Sequence, residues 1–412
     1  MDRKILIGTV LLLASAVIYG CGGGGGNGSS SDTTAGEKRS LSGYVQKGPF
    51  INGTPVTVSE LESSLAQTGR NFNTSIEDDK GTFELNDIEL SSNYVLLSAD
   101  GFYYDEVKGY LSEERLYLTA LADISDTTLT NINILSHLEK SRVEYLVKSG
   151  LSFKDAKKQA QTEVLAIFNI SKSDMEESEK LDISKEGDDN AILLAISAIL
   201  QGSNSVAELT QLLSNISADI EEDGTLDTAT LQSELINSAK PLYLTDIRTN
   251  LVNRYSELGV DATIPDFEQF VNNFIQNTSY TFTLTATYPA TGSYGENILG
   301  LQDGAVIDTN NFSNEYSLAA ELPAKSSLRI KIRLTSSTNY ADGVWWFDPS
   351  YMTGWSYTIY DFDNNEQWFT VTATEDMTAD MKLMFSGTGS AEIEFYENNS
   401  ATPTIKSFSW HE

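Results

Sequence analysis

The 412-residue chain holds one cysteine, Cys21, and two histidines, His137 and His411. A single thiol rules out an internal disulfide, so stability must come from packed cores or bound ions. Two histidines cannot build a three-histidine zinc site, and His-Glu-x-x-His does not occur. Gly-x-Ser-x-Gly and Ser-x-x-Lys are also missing, which removes the common serine acylation elements. Positive charge is scarce: 27 Lys and Arg stand against 59 Asp and Glu, a formal −32. Such a field repels phosphate backbones and anionic headgroups, which disfavours nucleic acid as a partner. The acidic excess serves either solubility or cation binding. The longest apolar run is residues 5–19, which as a helix reaches only about 22 Å, short of the ~30 Å hydrocarbon core of a bilayer.

That run follows Arg3 and Lys4, so it reads as a secretory signal peptide. It ends in Ile18-Tyr19-Gly20-Cys21, which resembles the lipobox of bacterial lipoproteins. The resemblance implies removal of residues 1–20, acylation of Cys21 (a palmitate-type anchor) and a membrane held through that lipid. Gly22 in place of Asp after the cysteine implies an outer-membrane destination, on the periplasmic face or at the cell surface. The alternative is an ordinary signal peptide with a chance cysteine. Residues 21–40 open with five glycines, Gly22 to Gly26, and continue in small polar residues. They form a Gly/Ser-rich tether with a mean span of roughly 25 Å.

Beyond the tether the period changes twice, giving a multidomain α+β chain. Residues 41–122 carry β-rich runs such as Val56-Thr57-Val58, separated by turn signals every 8–12 residues or so, as in a small β-sandwich. Residues 123–277 switch to a 3.6 period over stretches at 131–148, 152–170, 191–200, 205–213, 226–236 and 242–258. The expectation is about six or seven helices in an all-α domain. Pro241 and Gly259 bracket the last of these stretches. Residues 278–412 return to period 2, in Thr281 to Tyr288, Leu328 to Leu334 and Ala391 to Phe395. An antiparallel β-sandwich or jelly roll is expected there. The stretches Gln46-Lys-Gly-Pro-Phe50, Gly101-Phe-Tyr-Tyr-Asp-Glu-Val107, Asn131-Ile-Asn-Ile-Leu-Ser-His-Leu138 and Ile264-Pro-Asp-Phe267 resemble a recurring arrangement in bacterial surface lipoproteins. In it a prealbumin-like (carboxypeptidase regulatory-like) module precedes a helical region. The resemblance implies a module that spaces or binds, with no chemistry of its own.

Four constellations could bind a ligand. Asp219, Glu221, Asp223, Thr225 and Asp227 place oxygens at alternate positions, with Gly224 sixth, as a calcium loop requires. The twelfth position is Thr230, not a bidentate glutamate, and the competing reading is an acidic turn between helices. Asp361 to Glu366 is a weaker candidate of the same kind, competing with a hairpin turn. All five tryptophans fall in the last domain, and Trp345, Trp346 and Trp355 lie among turn residues. With Asp342 and Asp348 they could stack on sugar rings and accept their hydroxyls; the competing reading is core filling. Arg329, Lys331 and Arg333 form a positive stripe, suited either to a carboxylate ligand or to cross-strand pairing with Glu392 and Glu394.

The expectation is therefore a non-enzymatic, lipid-anchored protein that presents binding or scaffold domains to a surface protein or a carbohydrate. A carbohydrate-binding lipoprotein is the first alternative. A glycoside hydrolase is the second, since hydrolysis needs only two facing carboxylates. No cofactor is expected beyond the calcium candidate.

Overall fold

The computed structural model describes residues 37–308, 315–337, 346–358, 361, 364–400 and 402–411. Cys21, residues 22–36 of the expected tether, Asp342 and Trp345 lie outside them, whereas residues 37–40, expected in the tether, open the strand Glu37–Gln46 and pair with Thr82–Leu90. Residues from Gly36 onward form one compact unit. Its order is strands, then helices, then strands, in an α+β arrangement.

The longer N-terminal strands make two sheets, and Tyr104–Asp105 pairs separately with Tyr110–Leu111. Gln67–Ser75, Pro55–Leu61, Tyr94–Gly101 and Leu116–Asp123 lie in that order, all antiparallel. Thr82–Leu90 pairs antiparallel with Glu37–Gln46, whose far end takes Ile132–Asn133 as a parallel neighbour. Alternation puts Val56, Val58, Val95 and Leu97 of the first sheet and Leu41, Val45 and Phe83 of the second into one core. Gly43 is required where the chain crosses residues 128–131, because a Cβ there would meet the Thr130 carbonyl oxygen at 2.1 Å.

Seven α-helices follow among the described residues: α1 Ile134–Lys148, α2 Phe153–Ile167, α3 Asp188–Gln201, α4 Val206–Asp219, α5 Ala229–Ala239, α6 Leu244–Glu257 and α7 Glu268–Asn277. The sequence signals set their ends. Asn133 caps α1 by accepting from the Leu135 and Ser136 amides, and Ser205 caps α4 with Glu208 completing a capping box. Gly259 takes φ +65° just past α6. In α3 every residue from Ala191 to Gln201 is buried, as expected of a central helix that is apolar on all sides. The expected boundary at 122–123 falls inside the strand Leu116–Asp123, the first helix begins only at Ile134, and no break between cores lies there, since one apolar cluster runs from Leu41 to Phe274.

The second core begins at Ala286. Thr281, Thr283, Thr285 and Thr287 face water while Leu284 and Ala286 are buried, as the alternation implies. This stretch is nevertheless not a regular strand; its one ladder contact is Thr287 with Glu321. Side-chain amides satisfy it elsewhere. Asn237 accepts from the Thr283 amide at 2.9 Å, and Asn398 donates to the Leu284 carbonyl. Beyond it, six strands lie in the order Ala305–Asp308, Thr404–His411, Gly389–Glu397, Ser327–Ser337, Glu366–Thr372 and Ser356–Tyr357. In a second sheet, Met377–Met384 pairs with Glu315–Ser317, Ala320–Leu322 and Trp346–Thr353. Leu328, Ile330 and Phe369 of the first sheet share one core with Leu322, Met381 and Leu383 of the second. The expected antiparallel arrangement needs one correction here: Ala305–Asp308 runs parallel to Thr404–His411.

Candidate functional site

Two of the sequence stretches singled out above meet inside the body. Lys47, from the first, lies 2.5 Å from Glu106 Oε1, from the second, and both side chains are fully buried. Ser197 of α3 donates to the same oxygen at 2.9 Å, and Lys47 lies over the Tyr103 ring. Tyr103 in turn donates to Gln201 at 2.9 Å. A second buried group is a triad in which Lys157 Nζ sits 2.8 Å from Glu139 and 2.8 Å from Glu179. These ions tie strands and helices together.

His137, on α1, has its Nδ1 3.1 Å from Thr119 Oγ1. Burial, with Lys140 nearby, pushes its pKa from 6.5 down to about 4. The native ring stays neutral where the unfolded one takes a proton. Its contribution to stability is therefore complete above pH 6.5 and lost as pH falls toward 4, up to about 3 kcal/mol. In urea unfolding between pH 7.5 and 4.5, His137→Gln should flatten the acid loss relative to the parent. Equal slopes would mean the ring does not titrate this way.

The calcium-loop residues are bound to the chain itself. Asp219 Oδ2 accepts from the Asp227 amide at 2.8 Å, its other oxygen takes the Thr228 hydroxyl, and Asp223 accepts from the Thr225 amide at 2.9 Å. The carbonyls of Glu221 and Glu222 receive Arg142 at 3.1 and 2.5 Å, while Arg142 forks onto Glu163. Gly224 is needed for another reason than metal geometry: at φ +79° it lets the Glu163 carboxylate approach, where a Cβ would lie 2.2 Å from the carboxyl carbon. Among the described residues no three His, Cys, Asp or Glu side chains converge to hold a metal ion.

The aromatic candidates separate. Trp355 is buried in the second core, with its indole N–H on the Leu318 carbonyl at 3.0 Å, so it is not a stacking surface. Trp346 opens its strand opposite Met384. Asp348 is bound to Ser350, whose amide and hydroxyl hold its pKa below the usual carboxylate range. The charged stripe pairs as cross-strand partners should: Lys331 meets Glu394 at 2.5 Å and Arg333 meets Glu392 at 2.8 Å. Arg329 does not, because its register partners are Thr370 and Tyr396.

Part of the open space among the described residues lies where the helices meet the C-terminal strands. Two clefts of about 460 Å³ each share Ser203, Ser238 and Lys325 in their walls. Lys325 sits at φ +68°, a strained backbone for a side chain with a Cβ. From there it reaches Glu208 at 2.8 Å and Asn204 at 2.9 Å. Burial acts against the Glu208 charge, but Lys325 and Ser205 outweigh it and hold the pKa at about 2. One cleft carries Glu234, whose pKa burial raises. The other carries Lys108, Tyr110, Tyr243, Asp246, Arg329 and Asn399. Apart from Arg329, which belongs to the positive stripe, sequence patterning missed these residues, since they come from elements far apart in the chain. The legible signal was an arginine one ladder step away from the glutamates of the neighbouring strand.

No protein-family model matches the chain, and no curated protein does. Among solved structures, an extracellular fragment of EsaA from Streptococcus gallolyticus is similar over 66% of this chain and 68% of that one, at 13% identity and a TM-score of 0.14. A likeness that slight carries no argument about fold or activity.

Proposed function

We propose that this chain is a non-enzymatic lipoprotein, held at the outer membrane or cell surface through Cys21, whose body presents a binding surface. The body is read as a prealbumin-like β-sandwich, a helical region and a C-terminal β-sandwich or jelly roll. Paired sheets around each core support that reading. The observation that carries the binding role is the division of labour among charged groups. Lys47, Glu106, Lys157, Glu139 and Glu179 are buried against one another, while the junction clefts offer aromatic rings, amides and an exposed guanidinium. The two clefts hold one carboxylate each beyond those paired to lysine, Asp246 and Glu234. Two-carboxylate hydrolysis needs a facing pair, so this geometry lends the hydrolase alternative no support.

A carbohydrate ligand remains the second reading, moved from the tryptophans to the junction by the exposed faces of Tyr110 and Tyr243. The anchor is tested by fractionation. Wild-type protein should sediment with membranes, and Cys21→Ala should pass largely into the soluble fraction. Co-sedimentation of the variant at the wild-type level would sink the lipid-anchor reading.

A further inference from the structure

Arg329 departs from the rest of its charged stripe. Lys331 and Arg333, on the same strand face, are each neutralised by a glutamate across the ladder. Arg329 is exposed, lies 4.5 Å from the Trp368 ring centre and 5.0 Å from that of Tyr396, and has no carboxylate partner among the described residues. Stacking on the two rings restricts the guanidinium without consuming its donors. The chain carries 59 acidic residues, so a cation left unpaired in a cleft is available to an incoming anion. A planar fork of N–H donors matches a carboxylate in particular.

The rest of the cleft wall has a different chemistry. Tyr243 donates its hydroxyl to Asn399, and Asn399 donates to the Pro241 carbonyl at 2.8 Å. That network fixes the ring while leaving the side chain about half exposed, at 51%. Tyr110, exposed to the same degree, lines the cleft with it. Asp246, in the first turn of α6, supplies an acceptor for hydroxyl donors. Asp246 would repel a bare anion, and so would the field of the whole chain. The ligand must therefore bring hydroxyls and an apolar face along with its negative group.

We propose that the cleft between α6 and the strand Ser327–Ser337 binds an acidic sugar. Its carboxylate pairs with Arg329, its C–H face lies on Tyr243, and its hydroxyls donate to Asp246. The assignment rests on reading the chain as a binding protein and adds the ligand class. It places no demand on Trp345, Trp346 or Trp355, or on the anchor.

The test uses the purified full chain and isothermal titration with three acidic probes: oligogalacturonate, a glucuronate-containing disaccharide and sialyllactose. Each is compared with its carboxyl-reduced counterpart. At least one acidic probe should bind with a Kd below 1 mM, and its reduced form should bind at least tenfold more weakly. Arg329→Gln should weaken binding at least tenfold, Tyr243→Ala should weaken it comparably, and Lys331→Gln should change it less than twofold. Circular dichroism checks that each variant is folded. Equal binding of acidic and reduced probes would overturn the acidic part of the proposal. Absence of binding by all acidic probes to folded protein, or an unchanged Kd in Arg329→Gln, would overturn the whole of it. Any of these failures leaves the anchored-protein reading standing if Cys21→Ala still leaves the membrane fraction.

Discussion

Lys157→Met should cost about 3–5 kcal/mol of unfolding free energy, the range for removing one partner of a buried ion group. Lys157 touches Glu139 and Glu179 at 2.8 Å each, and all three side chains are at most 6% exposed. Burial opposes the lysine charge, but the two glutamates outweigh it and hold its pKa above the ordinary value. Burial raises the pKa of Glu139, with Lys157 pulling it back and Glu179 adding to the rise. Take the ammonium away and two carboxylates face each other without water. At least one must take up a proton or the helices must part. The triple variant Lys157→Met, Glu139→Gln, Glu179→Gln should recover most of the loss, because nothing charged is left stranded. Urea midpoints at pH 7.5 decide this. A loss under 1 kcal/mol for Lys157→Met would mean that water reaches the triad.

Lys47→Met should cost a similar amount at pH 8, and its pH dependence is the sharper signature. Burial lifts the Glu106 pKa above 4.5, Lys47 pulls it down, and Asp105 adds to the lift. Without Lys47 the lift grows. A carboxyl with a raised native pKa holds a proton that the unfolded chain releases. Its stabilising share is therefore complete below pH 4.5 and lost as pH rises through the native value. The deficit of Lys47→Met should thus shrink from pH 8 toward pH 5, opposite in direction to the acid loss expected from His137. Pairing the change with Glu106→Leu should remove the pH dependence. A deficit that is constant between pH 5 and 8 would show that Glu106 is not the group left stranded.

Much of the fold could be read from local signals, because those signals are physical constraints that act locally. Ser152 and Ser205 stand as caps where the 3.6 period begins, and Gly259 stands past the end where the period stops. The first helix starts three residues later than its apolar pattern suggests because Asn133 is spent as its cap. Alternation proved a weaker guide to pairing. From Thr281 to Tyr288 it correctly divides wet from buried side chains, yet the chain there has almost no ladder, since alternation reports faces and not neighbours. Trp355 shows the limit of composition. Turn residues around it suggest exposure, but its indole enters the second core and reaches a carbonyl. The cleft was illegible for a simpler reason. Tyr110, Tyr243 and Arg329 are joined only by tertiary packing, and the pairing register alone distinguishes Arg329 from Lys331.

The junction between the two apolar cores has a thermodynamic consequence. What crosses it is mostly polar and small in number: Lys325 to Glu208, Asn237 to Thr283, Asn399 to Pro241. Polar contacts of this kind couple two cores less tightly than a shared apolar surface would. The cleft exists only while both are closed. A ligand held there is lost when either core melts, and mass action charges RT ln(1 + [L]/Kd) to that opening. Occupancy therefore protects the weaker half first and brings its melting toward that of the stronger. Part of the cooperativity between the halves is thus supplied from outside, by whatever the cleft holds.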